Sequence, residues 1–406
     1  MFRLYLIFSL FSYFLISDSL FSEEKLELPA VYLTWDQSPL ETITVRWFSD
    51  QKDPRDKQIL YRLKGTKKWE KLIASTTTFL RSDYFIHNAT IHNLYPDTDY
   101  EFMVFNSSEI FWFRSLPKDP SKAIRFVVGG DVYRGGQAGP RNTDIELGRQ
   151  DPMFVVFGGD LVYVKYKLLA SKYKLYDLWV SWINSWKELL RTPNGRMFPI
   201  LAAIGNHDVR GQFKRKPRSA HTFYELFPFP KEHLGYQVLD FGNRLSLFLL
   251  DTAHTNPISA DQTNWLHKNL SERSEQRHKL AVYHVPAYPS HRSYKGDVSS
   301  LIRKSWVPLF DRFGLHTAFE HHDHTLKRTP RLRNNQPHPE GVLYLGDGAW
   351  SSGPREVKPA ENVWFLEKTK SVRHFWLIEL DENKRSFTAI NGEGGIEDLV
   401  EQNLNH

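Results

Sequence analysis

Seven uninterrupted apolar runs constrain this chain more than any other feature: AIRFVVGGD (123–131), MFVVFGGD (153–160), FPILAAIGNHD (198–208), RLSLFLLDT (244–252), HKLAVYHVP (278–286), GLHTAFEHHDH (314–324) and GVLYLGDGAW (341–350). None shows the apolar–polar alternation of a half-buried strand, so each reads as a strand covered on both faces. Between them lie stretches of helical length, such as the amphipathic LYDLWVSWINSWKELL (175–190). SADQTNWLHKNLSERS opens with Ser259 and Gln262 at capping-box spacing, and SSLIRKSWVPLFDRFG carries Pro308 at a bend and ends on Gly314. This pattern predicts an α/β domain over residues 120–395, with central sheets flanked by helices. Nearly every run ends in Asp, Asn or His, and polar groups at the carboxyl ends of neighbouring strands converge on one place.

The segment before it has a different texture. From Pro29 to Pro117, short β-branched and aromatic runs such as TITVRWFS, QILYRLK and DYEFMVFN alternate with turn residues, which predicts a small antiparallel β-sandwich over 29–117. Within it, NLYPDTDY (93–100) has the L-x-P-x-T-x-Y pattern and resembles the corner of fibronectin type III domains. Residues 1–22 place Arg3 before an apolar stretch from Leu4 to Ile16, followed by Ser17, Asp18, Ser19 and Ser22. That layout predicts a signal peptide and an exported protein, periplasmic, extracellular or at the cell surface. The apolar core is short and broken by serine, so the alternative is an uncleaved N-terminal anchor, and no later stretch is apolar enough to span a bilayer. The chain has no cysteine, which excludes disulfides, thiolate nucleophiles and iron–sulfur clusters and leaves any metal to N and O ligands. A formal net charge of +6 over 406 residues is too diffuse for a nucleic-acid footprint but suits anionic substrates.

The chemistry is concentrated at the strand ends. A single Asp after a strand, such as Asp251 or Asp347, is more often a turn residue than a ligand. Here Asp131 follows FVVGG, Asp160 and Tyr163 sit in GGDLVY, Asn206 in GNHD, His284 after LAVY, and His322 and His324 in EHHDH. The order GD, GDxxY, GNHD, strand-terminal His and HxH resembles the purple acid phosphatase branch of the calcineurin-like metallophosphoesterases over residues 120–395. The fibronectin-like N-terminal domain is similar to the one that precedes many of that branch. The resemblance implies a hydrolase of phosphoric esters, a phosphomonoesterase acting through a metal-bound hydroxide at two metal ions. It makes Asp160 the bridging carboxylate and adds Asp131, Tyr163 and His324 around a trivalent ion, Fe(III). Asn206, His284 and His322 then surround a divalent partner, Fe, Zn or Mn. Two cations roughly 3.5–4 Å apart can clamp a phosphate, and a carboxylate between them reduces their repulsion.

His207, beside Asn206 in GNHD, is the candidate catalytic residue, a general acid or phosphate contact, with Asp208 expected to orient it. His322 and His324, two apart on extended backbone, are expected to face the same way, with His321 and Asp323 turned elsewhere. The chain departs from the family pattern in two motifs. His321 stands where glycine is usual in GHxH and reads as a non-ligand, and Asp131 is followed by Val132 and Tyr133, delaying the glycines to Gly135 and Gly136. Arg134 is a candidate phosphate contact, GQFKRKPRS (211–219) a basic loop after the site, and His221, His254 and His291 are not separable from surface residues. The expected partner is a small phosphorylated molecule. The alternatives are a phosphodiesterase or nucleotide hydrolase with the same centre, and a non-catalytic surface or adhesion protein that binds through its fibronectin-like module.

Overall fold

The computed structural model describes residues 30–50, 54–79, 82–105, 107–132, 141–163, 175–346 and 348–404. The signal segment, Arg134, Gly135, Gly136 and Asp347 lie outside the described residues. No helix among the described residues is long and apolar enough to cross a membrane.

Residues 31–114 form a two-sheet sandwich. One sheet is ordered Val31–Thr34, Ile43–Ser49, Phe85–Ile91 and Ser75–Thr78, and the other Phe111–Arg114, Asp99–Val104, Gln58–Leu63 and Glu70–Ile73. In Asp99–Val104 buried residues alternate with half-buried ones, as expected of a strand with one face on a core. The Tyr100 hydroxyl accepts the Tyr95 N–H at 2.9 Å and fixes the corner that NLYPDTDY signals.

The sandwich is not an independent cap. Its second sheet takes a further strand from the other half of the chain, Arg196–Met197, parallel to Phe111–Arg114. Tyr32 donates to the Leu226 carbonyl at 2.7 Å, Arg46 to the Glu225 carbonyl at 2.8 Å and Thr34 to the Ile200 carbonyl at 2.9 Å. Trp35 packs edge-on against Phe154 and Phe241, at 5.5 and 5.8 Å, so one apolar cluster runs from the sandwich into the second domain.

That second domain is built on two mixed sheets. The first runs Ile200–Ala202, Phe154–Phe157, Ile124–Gly129, His374–Leu380, Lys384–Asn391 and Ile396–Asn403. The second runs Gln237–Phe241, Leu245–Leu249, His278–Val282, Thr317–Phe319, Leu343–Gly346, Leu326–Arg328 and Lys368–Lys370. Their facing sides share Phe126, Val156, Leu247, Leu280, Phe319 and Phe387 in one core. Helices cover the outer faces: Leu175–Leu189 packs its tryptophans behind the first sheet, and Asp261–Ser271, Asp297–Ser305 and Val307–Phe313 lie behind the second. The latter two are separated at Trp306, two residues before Pro308 in the first turn of the next helix, and Gly314 closes the pair at φ 64°. Ser259 does not cap a helix. The Gln262 side chain instead accepts from Asp251 N–H and donates to the Asp251 carbonyl, both at 2.9 Å, pinning the end of strand Leu245–Leu249.

At the opposite end from the ligand-bearing loops, the two sheets are joined by a buried histidine. Arg385 Nε donates to His278 Nδ1 at 3.0 Å, and His278 Nε2 lies 3.1 Å from the Asp381 carbonyl. Accepting at one nitrogen and donating at the other, the ring must be neutral; burial first, then the Arg385 charge, pushes its pKa down to about 3. Because the folded pKa is depressed, this histidine's contribution is complete above the ordinary value near 6.5 and is lost as the pH falls from there towards about 3. The denaturant midpoint of the native chain is therefore expected to fall between about pH 6 and 4, and His278→Gln to be less stable at neutral pH with a flatter profile over that window. Parallel profiles for the two proteins would contradict this account.

Candidate metal centre

The parallel strands Ile124–Gly129, Phe154–Phe157 and Ile200–Ala202 of the first sheet, and His278–Val282 and Thr317–Phe319 of the second, end on the same side. Each is followed at once by a polar turn, and the turns converge. Asp131, Asp160, His322 and His324 all have left-handed backbone, with φ of 58°, 57°, 76° and 57°. Such conformations cost about 1–3 kcal/mol each in a non-glycine residue and persist where the surroundings fix them. The histidine pair therefore differs from expectation. His322 and His324 lie beyond the end of strand Thr317–Phe319, and alternate left-handed residues in a turn, rather than a pleated strand, aim both inward.

Asp160, His284 and His322 bring one ligand atom each to within 4.8 Å of one another. His284 Nε2 lies 3.3 Å from Asp160 Oδ2, 3.1 Å from Asn206 Oδ1 and 3.1 Å from His322 Nδ1, while its Nδ1 is held by the Gly158 carbonyl at 2.9 Å. On the other side His324 Nε2 is 2.8 Å from Asp131 Oδ1, and Asp131 Oδ2 accepts the His322 N–H at 2.9 Å. Burial alone would raise the Asp160 carboxyl, but the imidazoles of His284, His207 and His322 outweigh it and hold the group far below the carboxylate range. Burial lowers His284, yet the charges of Asp160 and Asp131 lift it to about 9. Although imidazoles are close, Asp131 Oδ1 and Asp160 Oδ2 are buried without a hydrogen-bond partner. Buried carboxylate oxygens facing imidazole and amide ligands are a hard N/O set, and they fit a metal pair.

Tyr163 is 7% exposed and its ring lies flat against that of His207, 3.9 Å between centroids and 11° between planes. Its hydroxyl is 3.1 Å from Ser352 Oγ, and burial first, then the charges of Asp160 and Asp131, pushes its pKa up. His207 donates its backbone N–H to Asp160 Oδ1 at 2.7 Å and places its Nε2 4.0 Å from Oδ2. Asp208 has a different role from the one expected. Its carboxylate accepts the N–H groups of Asp160, Leu161, Val162 and Gly205, all at 2.8–3.1 Å, so it shapes the two ligand-bearing turns rather than orienting the His207 ring. Gly205 is required by close approach, since a Cβ there would meet Asp160 N at 2.2 Å.

His254, which spacing does not separate from surface residues, is fully buried, its ring 5.5 Å from that of His284. Burial first, then His284, lowers it to about 3. The available signal was its place just after the run RLSLFLLD. Phe213 of the basic loop packs against His254 at 4.9 Å and approaches His322 at 6.3 Å. His291 is an exposed residue whose ring nitrogen lies 2.7 Å from the Glu356 carbonyl, and His221 sits beside Tyr176.

His321 is 1% exposed and, among the described residues, neither ring nitrogen has a hydrogen-bond partner. Its ring occupies a cleft lined by glycine: a Cβ added at Gly158 would come within 1.7 Å of the ring, and one at Gly130 within 2.7 Å. The imidazole thus wedges between the turns that carry Asp131 and Asp160, and burial followed by His284 keeps it neutral. Gly158→Ala is expected to destabilise the fold by about 1–3 kcal/mol through overpacking. The penalty should largely disappear in the Gly158→Ala/His321→Gly double variant, as read from thermal midpoints of the four proteins. An undiminished penalty in the second background would show that another group fills the cleft.

Comparison with known proteins supports the fold. The model of the purple acid phosphatase N-terminal domain matches residues 28–115, and that of the calcineurin-like phosphoesterase matches residues 124–326. Two uncharacterized proteins of Mycobacterium tuberculosis are 23% identical over 286 residues, covering 61% of this chain and 51% of theirs. The chain thus spans about half the length of the curated relatives it matches. Among solved structures, the purple acid phosphatase PPD1 from yellow lupin (Lupinus luteus) seeds superposes with TM-score 0.75 at 18% identity, over 92% of this chain and 73% of that one. PhoD superposes with TM-score 0.66 at 11% identity, over 91% and 88%. With the phosphoesterase match running from the strand before Asp131 to the strand after His324, across half of the sequence, the chain belongs to the calcineurin-like phosphoesterase family.

Proposed function

We propose that this chain is an exported hydrolase of phosphoric monoesters that works with two metal ions. The observation that carries the reading is the pair of buried carboxylates, Asp131 and Asp160, each with an unpartnered oxygen and each facing histidine. In this reading Asp160 would contribute to both positions; Asp131, Tyr163 and His324 would hold the charge-rich one, suited to Fe(III), and Asn206, His284 and His322 would hold one suited to divalent Fe, Zn or Mn. Ions held there would supply an activated water and offset charge on the transferring phosphoryl group. The similarity to the lupin purple acid phosphatase supports this reading, and export rests on the N-terminal segment alone.

The chain's own residues do the remaining work. His207, 14% exposed at its side chain and braced face to face by Tyr163, would meet the ester oxygen that leaves. Protonated at its ring, it would deliver that proton to the departing alkoxide. Tyr163 and Ser352 fix the ring's plane from below through their hydroxyl contact at 3.1 Å. The closed wall of Asp208 contacts keeps the Asp160 turn from relaxing when the carboxylate is neutralised.

Purified protein reconstituted with Fe, Zn or Mn is expected to bind close to two metal ions per chain. Asp160→Ala should retain less metal than Asn206→Ala or His324→Ala, because Asp160 alone touches both positions; metal analysis after gel filtration reads this directly. A content near zero for the native protein after reconstitution would end the proposal. For His207→Ala, turnover of alkyl phosphates is expected to drop by about 10²–10⁴-fold with metal retained, and turnover of aryl phosphates, whose phenols leave without a proton, by much less. Equal losses on both classes would assign His207 to substrate binding instead.

A further inference from the structure

Two arginines flank the centre on segments that none of the motifs reach. Arg292 donates Nη1 to the His322 carbonyl at 2.5 Å and to Asp323 Oδ1 at 2.8 Å. Arg355 donates Nη1 to the same His322 carbonyl at 3.2 Å, and its backbone N–H bonds to the His324 carbonyl at 2.9 Å. Two guanidinium groups therefore share one acceptor on the turn that carries both inward-facing histidines. Like charges brought this close repel unless an anion lies between them. The Asp323 carboxylate is already engaged by Arg292 and by the N–H groups of His291 and Arg292. Arg355 is half-buried and has no carboxylate within ion-pair distance among the described residues. Bonded to the carbonyls of both His322 and His324, Arg355 borders the turn that carries the two histidines.

The opposite rim is also cationic. Arg210, Lys214, Arg215, Lys216 and Arg218 are exposed on the loop that Phe213 anchors against His254 and His322. That loop is fixed in place by its backbone, Lys214 N–H to the Ala253 carbonyl at 2.7 Å and Arg215 N–H to the His254 carbonyl at 2.9 Å. His322 thus lies between a fork of arginine donors and a basic loop. A simple monoester brings only the phosphoryl charge that the metal centre itself would neutralise, which leaves Arg355 and the basic loop without a counterpart on the substrate.

We propose that Arg355, with Arg292 beside it, forms a subsite for a second anionic group of the substrate, a phosphoryl or carboxylate separate from the scissile ester. The inference rests on the reading of the centre as a phosphoester hydrolase and narrows its substrates to bis-anionic molecules. The planar fork of an arginine matches two oxygens of either group, and the fixed backbone of Arg355 means little order must be gained on binding.

Three substrates of one chain length test it on the metal-loaded enzyme: butyl phosphate, butane-1,4-diyl bisphosphate and 4-(phosphonooxy)butanoate. The native enzyme is expected to favour the two bis-anionic esters in kcat/KM, and the bisphosphate and carboxylate arms show which group the subsite prefers. In Arg355→Gln the ratio of bis-anionic to butyl phosphate kcat/KM should fall about ten-fold or more, with Arg355→Lys in between, because it keeps the charge and loses the fork. Calorimetric binding of butane-1,4-bisphosphonate against butylphosphonate reads the same preference without turnover. Absence of hydrolysis of all three esters by native protein would strike the reading of the centre, while a retained bisphosphonate preference, lost in Arg355→Gln or Arg355→Lys, would still support the subsite. No preference in the native protein, or a preference unchanged in both variants, would overturn it.

Discussion

The structure is organised around two carboxylates that should not be stable where they are. Asp131 and Asp160 are 0% and 1% exposed, and removing an ionised carboxylate from water costs several kcal/mol even after the protein relaxes. What keeps Asp160 charged is a fixed shell of His284, His207 and His322, while His324 and the His322 N–H surround Asp131. The shell groups come from three strand ends and the two carboxylates from two more, so the shell exists only if two sheets, five turns and their glycines are correctly placed at once. The left-handed backbone at four of the site residues is the local cost of that placement.

Two buried constructions hold the turns against it. Asp208 gathers four backbone N–H groups from the Asp160 and Asn206 turns and acts as a rigid pin between them. On the other sheet, Glu320 and Lys327 stand at the two ends of the histidine turn and form an ion pair that is 0% exposed at both side chains. Glu320 also accepts from the Tyr283 hydroxyl at 2.7 Å and the Ala287 N–H at 2.6 Å, so the turn after His284 and the turn carrying His322 share one anchor. Removing either partner would strand a buried charge, which is why such pairs are costly to break even when they add little net stability. His321 completes the arrangement by filling the glycine cleft between the turns of the first sheet.

The sandwich contributes at a distance. Its tyrosine, threonine and arginine side chains bond to the carbonyls of Leu226, Ile200 and Glu225, and Trp35 packs edge-on against Phe154 in the shared core. Strand Phe154–Phe157 leads directly into Asp160, so the docking surface supports the base of the metal-facing turn. The sandwich thus has a structural part in the centre, through a shared core and a shared sheet.

The amino-acid sequence alone determined the strand-end chemistry. Continuous apolar runs closing on Asp131, Asp160, Asn206, His284, His322 and His324 are a one-dimensional signal, because a buried parallel strand needs an apolar residue at every position and the first polar residue marks its end. The tyrosine corner at 93–100 was legible for the same reason: it is local. What only tertiary structure decided depends on pairs far apart in the chain. That Asp208 binds backbone rather than His207, that His254 is buried beside His284, and that Arg292 and Arg355 meet over one carbonyl all join segments separated by tens of residues. A lone histidine or arginine carries no mark of its neighbours, since burial and charge pairing are properties of the packed core and not of the residues beside it in sequence. Even the histidine pair, found by spacing, needed the structure for its geometry, because steric allowance for left-handed backbone at His322 and His324 is set by the turns packed around them.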